Sequence, residues 1–337
     1  MLIAILYTGE FRTCEKTIYY TKNNILLNEN VHVFATIQST NIIYSNAFIK
    51  NHMSSNLKSL TNFDKTDILW NSIQDKLLSK LSINNKIYNY LKKSGSMIEH
   101  YQIYLSYKSL LEYEFSNNIK YDYIVKLRTD VIYTQPLNFN FMKITLLDII
   151  DNFQKINKIT NESKLLSLKN IKIFFNNLLF ENDKNLRNSE NYANLDIHSN
   201  YDFYNLLNEN EIQNENYIFE KIFNFINNGK YIITLRKNVF IVIKRDFFSE
   251  IVNLGITYGS YIKNKNILNN DNDEYWKFWW NSESQLQEIC RQKNICIFDS
   301  TTILEDKSLY KYNSTNYFNE NNKLLENLQC LFFICRN

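Results

Sequence analysis

The chain has 337 residues, 45% of them hydrophobic and 15% aromatic, with 38 basic against 35 acidic residues and a formal charge of +3. So much Tyr and Phe excludes a disordered chain, and the length allows a substantial core. The nearly balanced charge, with no segregated Lys/Arg block, excludes a dedicated nucleic-acid binder.

The opening "MLIAILYTGE" is apolar for only seven residues before Thr8. It lacks a basic flank and a small-residue cleavage site, so it reads as a first strand over 2–7 rather than a leader. "TGEFRT" is then a loop, and the residues up to about Leu27 form a helix. "VHVFATI", 31–37, is the second strand, and a short strand followed by helix is expected between about Thr66 and Lys93. In "SMIEHYQIYLSYKSLLEYEFSN", 96–117, Ile98, Tyr101, Leu105, Leu111 and Phe115 fall near helical spacing. "YDYIVKLRTDVIY", 121–133, is a further parallel strand whose apolar run is interrupted by Arg128, Thr129 and Asp130. Short apolar runs alternating with amphipathic stretches predict an α/β fold of parallel strands joined by helices.

After Leu137 the character changes. Residues of about 150–215 are rich in Asn, Lys, Glu and Leu and are expected to form a helical insertion or loop. Asn is abundant throughout while Gly and Pro number only 5 and 1, so Asn-rich runs carry no functional signal of their own. "KYIITLR" and "NVFIVIK" predict a hairpin, "RDFFSEIVNL" a helix, and "ICIFD" a last strand. With no repeat and no linker composition, a single domain over 1–337 with an insertion is the simplest organisation. "CLFFIC" is too short to cross a bilayer, and a soluble, cytoplasmic protein without a membrane span is expected. Cys14, Cys290, Cys296, Cys330 and Cys335 miss zinc spacings and read as reduced thiols, and the four histidines form no ligand-spaced pair.

In an open parallel sheet, ligands bind where the strands' carboxyl ends and the following helix N-termini converge. After the first strand, Gly9 permits close backbone approach and Arg12 offers a planar fork for phosphate oxygens, though such a loop is also an ordinary turn. Asp130 stands where its strand leaves the sheet, placed to direct a carboxylate into the crevice. There a divalent cation could bridge it to a diphosphate. Alternatively Asp130 caps the next turn with Arg128 paired to it at the surface. Ser282 and Gln285 match a helix-capping box. Yet Trp276, Trp279 and Trp280 crowd beside Glu283, and aromatic faces next to a carboxylate suit a sugar ring.

Three stretches, "ILYTGEFRT", "IEHYQIYLSYKSLLEYEFSNNIKYDYIVKLRTDVIY" and "NSESQLQEICRQKNICIF", together resemble the GT-A-fold glycosyltransferases of lipopolysaccharide synthesis and of viral or bacterial surface-glycan assembly. The resemblance covers the first 40 residues, about 96–137 and about 230–300. It implies a GT-A-like, Rossmann-type mixed and mostly parallel sheet flanked by helices, and a host-cytoplasmic location if the protein is viral. It also implies transfer of a sugar from a UDP- or GDP-sugar to a glycan or glycoprotein. Thr8, Gly9 and Arg12 would line the diphosphate, Tyr101 or Gln102 would face the base, and Trp280 would meet the sugar. Asp130 would be the last acid of the metal motif for Mn2+ or Mg2+, and Glu283 the base if the reaction inverts. The chain departs from the pattern at Arg128, which stands where the first metal-binding Asp belongs. That departure keeps a degenerate binding module open as an alternative. A sugar nucleotidyltransferase is the other, although "TGEFRT" is shorter than its Gly-rich loop.

Overall fold

In the computed structural model, the described residues are 1–27, 30–64, 66, 68–79, 88–89, 92–93, 95–133, 136–137, 228–235, 239–256, 286, 289–290, 293–299 and 332–334. The expected insertion at 150–215 lies outside them, as does the segment holding Trp276, Trp279, Trp280 and Glu283. The strands are β1 (Ile3–Glu10), β2 (Val31–Gln38), β3 (Leu57–Phe63), β4 (Tyr123–Arg128), β5 (Val131–Tyr133), β6 (Tyr231–Leu235), β7 (Phe240–Lys244), β8 (Cys296–Asp299) and β9 (Phe332–Ile334). Among the described residues, the helices of eight or more residues are α1 (Cys14–Asn24), α2 (Ile42–Met53), α3 (Ile68–Ser79), α4 (Gly95–Asn117) and α5 (Arg245–Ile256).

Seven strands form one sheet in the order β3-β2-β1-β4-β7-β6-β8, and β5 pairs with β9 in a second, two-stranded sheet. Strands β3, β2, β1 and β4 run parallel, β7 is antiparallel to both of its neighbours, and β8 is parallel to β6. This is the expected mixed, mostly parallel sheet flanked by helices. The single reversal follows from the β6–β7 hairpin that "KYIITLR" and "NVFIVIK" predict. β1 and β4 are apolar almost without alternation because residues on both of their faces are covered.

Register assigns residues to faces. Ala4, Leu6 and Thr8 of β1 pair with Ile124, Lys126 and Arg128 of β4, and with His32, Phe34 and Thr36 of β2. Paired residues of parallel strands share a side, and α4 covers this one, where the Ser106 and Thr36 hydroxyls lie 2.7 Å apart. On the opposite side the Tyr7 hydroxyl meets the Cys14 thiol of α1 at 3.4 Å. Burial pushes that thiol's pKa up to about 12, which marks Cys14 as a packing residue rather than a nucleophile. Cys14 and Cys290 are both buried, and neither is in a disulfide.

Toward the amino ends of the strands, the α4 layer is an apolar core of Ala4, Ile103, Leu110, Ile124, Phe248 and their neighbours. Each such buried side chain contributes roughly 1.5–3 kcal/mol. α4 ends at Asn117, where Asn118 takes φ +50 and the Ile119 N–H returns to the Glu114 carbonyl at 3.1 Å, an Asn-terminated left-handed stop. Arg245, opening α5, grips the Glu114 carboxylate at two points, with Nη2 to Oε2 at 2.6 Å and Nε to Oε1 at 3.1 Å. The Tyr121 N–H donates to the same carboxylate at 3.0 Å, so this pair ties α4 and α5 to the segment leading into β4.

The structure revises several sequence expectations. β1 continues through Thr8, Gly9 and Glu10, and a 3-10 turn, Phe11–Thr13, takes up the rest of "TGEFRT". The strand expected after Thr66 is instead β3 at Leu57–Phe63, preceded by α2, whose Asn41 cap accepts the Tyr44 N–H at 3.1 Å. The 121–133 stretch is two strands in two sheets. "CLFFIC", expected only not to span a membrane, supplies β9.

Candidate functional site

Arg128, Thr129 and Asp130 interrupt the apolar run because the chain leaves one sheet and enters another there. Thr129 fastens the crossover. Its N–H donates to the Thr8 carbonyl at 3.1 Å, its hydroxyl to the Glu10 carbonyl at 2.7 Å, and its own carbonyl accepts from the Thr17 hydroxyl at 2.5 Å. Gly9 sits opposite at φ +146, and a Cβ on it would strike the Thr129 hydroxyl. Glycine is therefore required on two counts, its backbone angle and the close approach of β4's end.

The Asp130 carboxylate is 5% exposed and accepts from Arg128 at both oxygens, Nε to Oδ1 at 2.9 Å and Nη2 to Oδ2 at 2.7 Å. Arg128 and Asp130 are thus paired as one sequence reading expected, but in the protein and not at its surface. Two residues back on the same face, Lys126 is fully buried and donates to Glu99 of α4 at 2.6 Å. Burial opposes the charged form of Glu99, but Lys126 and Arg128 outweigh it and hold the carboxyl at about 2. Burial also lowers the Lys126 pKa, against the pull of Glu99. The 2.6 Å contact favours the ion pair. Glu99, Lys126, Arg128 and Asp130 make a row of alternating charge at the carboxyl end of β4.

Gln102, 3% exposed, donates to the Gly9 carbonyl at 3.3 Å, clamping α4 to the end of β1. Tyr101 is packed between Phe63 and Trp70, with ring centroids 5.3 and 4.8 Å away. Arg12 lies beyond the end of β1, half exposed, with its Nε 3.4 Å from Glu10 Oε2. The structure therefore brings Thr8, Gly9, Gln102, Arg128 and Asp130 together and leaves Arg12 at the rim. Three buried hydroxyls around them, on Thr8, Thr13 and Tyr133, have no hydrogen-bond partner. Burial, reinforced by Asp130, raises the Tyr133 pKa far above the ordinary phenol range.

Among the described residues no group of three His, Cys, Asp or Glu side chains could hold a metal ion. A cation at Asp130 would find, among the described residues, a carboxylate with both oxygens engaged by a guanidinium. These residues fit a bound divalent cation poorly. Sequence reasoning passed over Glu99 and Lys126, and it noted Thr129 in the interruption of the strand without giving it a role. The signal for Lys126 was present in "YIVKLR", a lysine inside an apolar strand, which folds only with a buried partner.

No family model matches the chain, and no curated protein matches it in sequence. Among solved structures it overlaps mouse xyloside xylosyltransferase 1 in its apo form, at 10% identity over 46% of this chain and 48% of that one, with a TM-score of 0.19. The chain spans about half the length of that enzyme, and a likeness of this size carries no argument about chemistry. No described helix is long and apolar enough to cross a membrane.

Proposed function

We propose that the protein is a glycosyltransferase whose UDP- or GDP-sugar donor lies across the carboxyl ends of β1 and β4, and whose acceptor is a glycan or glycoprotein hydroxyl. The observation that carries this reading is the Arg128–Asp130 pair, its carboxylate buried and its guanidinium half-buried, beside Gly9, at an edge where four parallel strands end together. The resemblance of "TGEFRT" and "YDYIVKLRTD" to GT-A glycosyltransferases supports a donor diphosphate at the same edge.

The acceptor oxygen attacks the anomeric carbon, the bond from that carbon to the diphosphate oxygen breaks, and the nucleoside diphosphate leaves with the bonding electrons. Basic residues that neutralise the departing diphosphate lower the barrier more than they stabilise the bound donor. Thr8, Gly9 and the rim residue Arg12 line the diphosphate in this reading, with Tyr101 and Gln102 on the base side and Trp280 near the sugar. Glu283 takes the acceptor proton if configuration inverts. A divalent cation, when bound, would add positive charge at the diphosphate. Asp130 is its one expected ligand here, and no step is assigned to it.

The test is a donor panel. Each common nucleotide sugar is incubated with the full chain, with and without chelator, and free nucleoside diphosphate is measured. Slow release from one donor, abolished by Arg128→Met, is the expected result. Release of pyrophosphate from a nucleoside triphosphate and a sugar phosphate would instead make it a nucleotidyltransferase. No release and no thermal stabilisation by any donor would leave a binding module.

A further inference from the structure

Two features of the α4 side of the sheet's carboxyl edge bear on how an anion is held there. Thr8 and Arg128 are register partners on β1 and β4, so both project to that side at the same level. The Thr8 hydroxyl is 1% exposed and has no hydrogen-bond partner. A buried orphan hydroxyl calls for a ligand or an ordered water. Beneath them lies fully buried Lys126, its charge compensated by Glu99 at 2.6 Å. Arg128, meanwhile, stands where the resemblance puts a metal-binding carboxylate, and its fork already holds a carboxylate at two points.

We infer that the diphosphate of the donor is held by the Arg128 guanidinium and the Thr8 hydroxyl, with no divalent cation. This rests on the donor site proposed above and names what neutralises its charge. Among the described residues, a cation at Asp130 would sit against a guanidinium and share the carboxylate that guanidinium occupies. A phosphate has no such conflict, because it takes the fork in the same two-point geometry that Asp130 uses now. Asp130 is then a positioning residue: it holds the fork in one orientation before the donor arrives and competes with the donor for it.

The experiment is calorimetric titration of the full chain with UDP and with GDP, in EDTA and in Mn2+. One nucleotide is expected to bind with the same Kd, within about twofold, in both buffers. Arg128→Met should weaken it about 10- to 100-fold, the loss of charge-assisted hydrogen bonds to a phosphate, and Thr8→Val about 3- to 10-fold. Asp130→Asn should bind at least as tightly as the parent chain, because a competing anion is gone. Melting curves check that each variant is folded, and if Arg128→Met is not, Arg128→Lys, which keeps the charge and loses the fork, should still weaken binding. Binding that needs Mn2+ and is lost in Asp130→Asn would overturn the inference and leave the donor site standing. Unchanged affinity in the Arg128 variants would overturn it as well. Binding of neither nucleotide in either buffer would overturn both.

Discussion

Strand β4 has two halves, and α4 lies over both. Toward its amino end, Ile124 packs with Ile103, Leu110 and Phe248 in the main core. Toward its carboxyl end the same face carries Lys126 and Arg128, met by Glu99 and Asp130. The first half repays the entropy of ordering the chain. The second buries Lys126 and Asp130 and half-buries Glu99 and Arg128, for which hydrophobic side chains of similar volume would serve stability as well or better. Polar residues kept at that expense, at the edge where parallel strands end, are what motivates the donor site proposed there.

Phe248→Ala should do the most damage, about 3–5 kcal/mol by analogy with other buried aromatic truncations, read as a lower urea midpoint. Because Phe248 belongs to the apolar half, nucleotide affinity of the molecules that remain folded should not change. Lys126→Met breaks the polar half and should cost about 3 kcal/mol by leaving Glu99 buried without its cation. Adding Glu99→Leu should recover most of that loss, and a failure to recover it would mean that the two residues are not coupled.

The same pair sets an acid limit. The folded Glu99 titrates near 2 against an ordinary 4.5, so on acidification the unfolded chain takes up the proton first. The stability Glu99 contributes is complete above about 4.5 and drains away as pH falls toward 2. In Glu99→Gln this part of the pH–stability curve should flatten. Gly9→Ala should cost about 1–3 kcal/mol in strain, and pairing it with Thr129→Ala should relieve the clash but not the backbone angle. Arg12→Ala removes a half-exposed pair and should move the midpoint by less than about 0.5 kcal/mol.

How much of this was legible in the sequence depends on whether the deciding contacts were local. Apolar runs located β1, β2, β4 and the β6–β7 hairpin, because strands buried on both faces have no other way to be written. α2 and β3 escaped notice: Ile42, Ile43 and Tyr44 of α2 are exposed, and β3 is intermediate in burial at every position but Phe63, so neither shows a clean period. β5 could not be separated from β4 because its partner, β9, lies some 200 residues further on. At the site, Asp130 and Arg128 drew attention as polar residues ending an apolar strand. The buried Lys126–Glu99 pair did not, since one member looks like a strand irregularity and the other like a helix surface residue until α4 is laid on the sheet.

The most direct measurement is amide hydrogen exchange on the full chain with and without the donor that the panel selects. The account predicts slowed exchange over residues 8–13 and 126–131, where β1 and β4 end, with no change in α5. Protection confined to other segments, or none with a donor that is being hydrolysed, would contradict it.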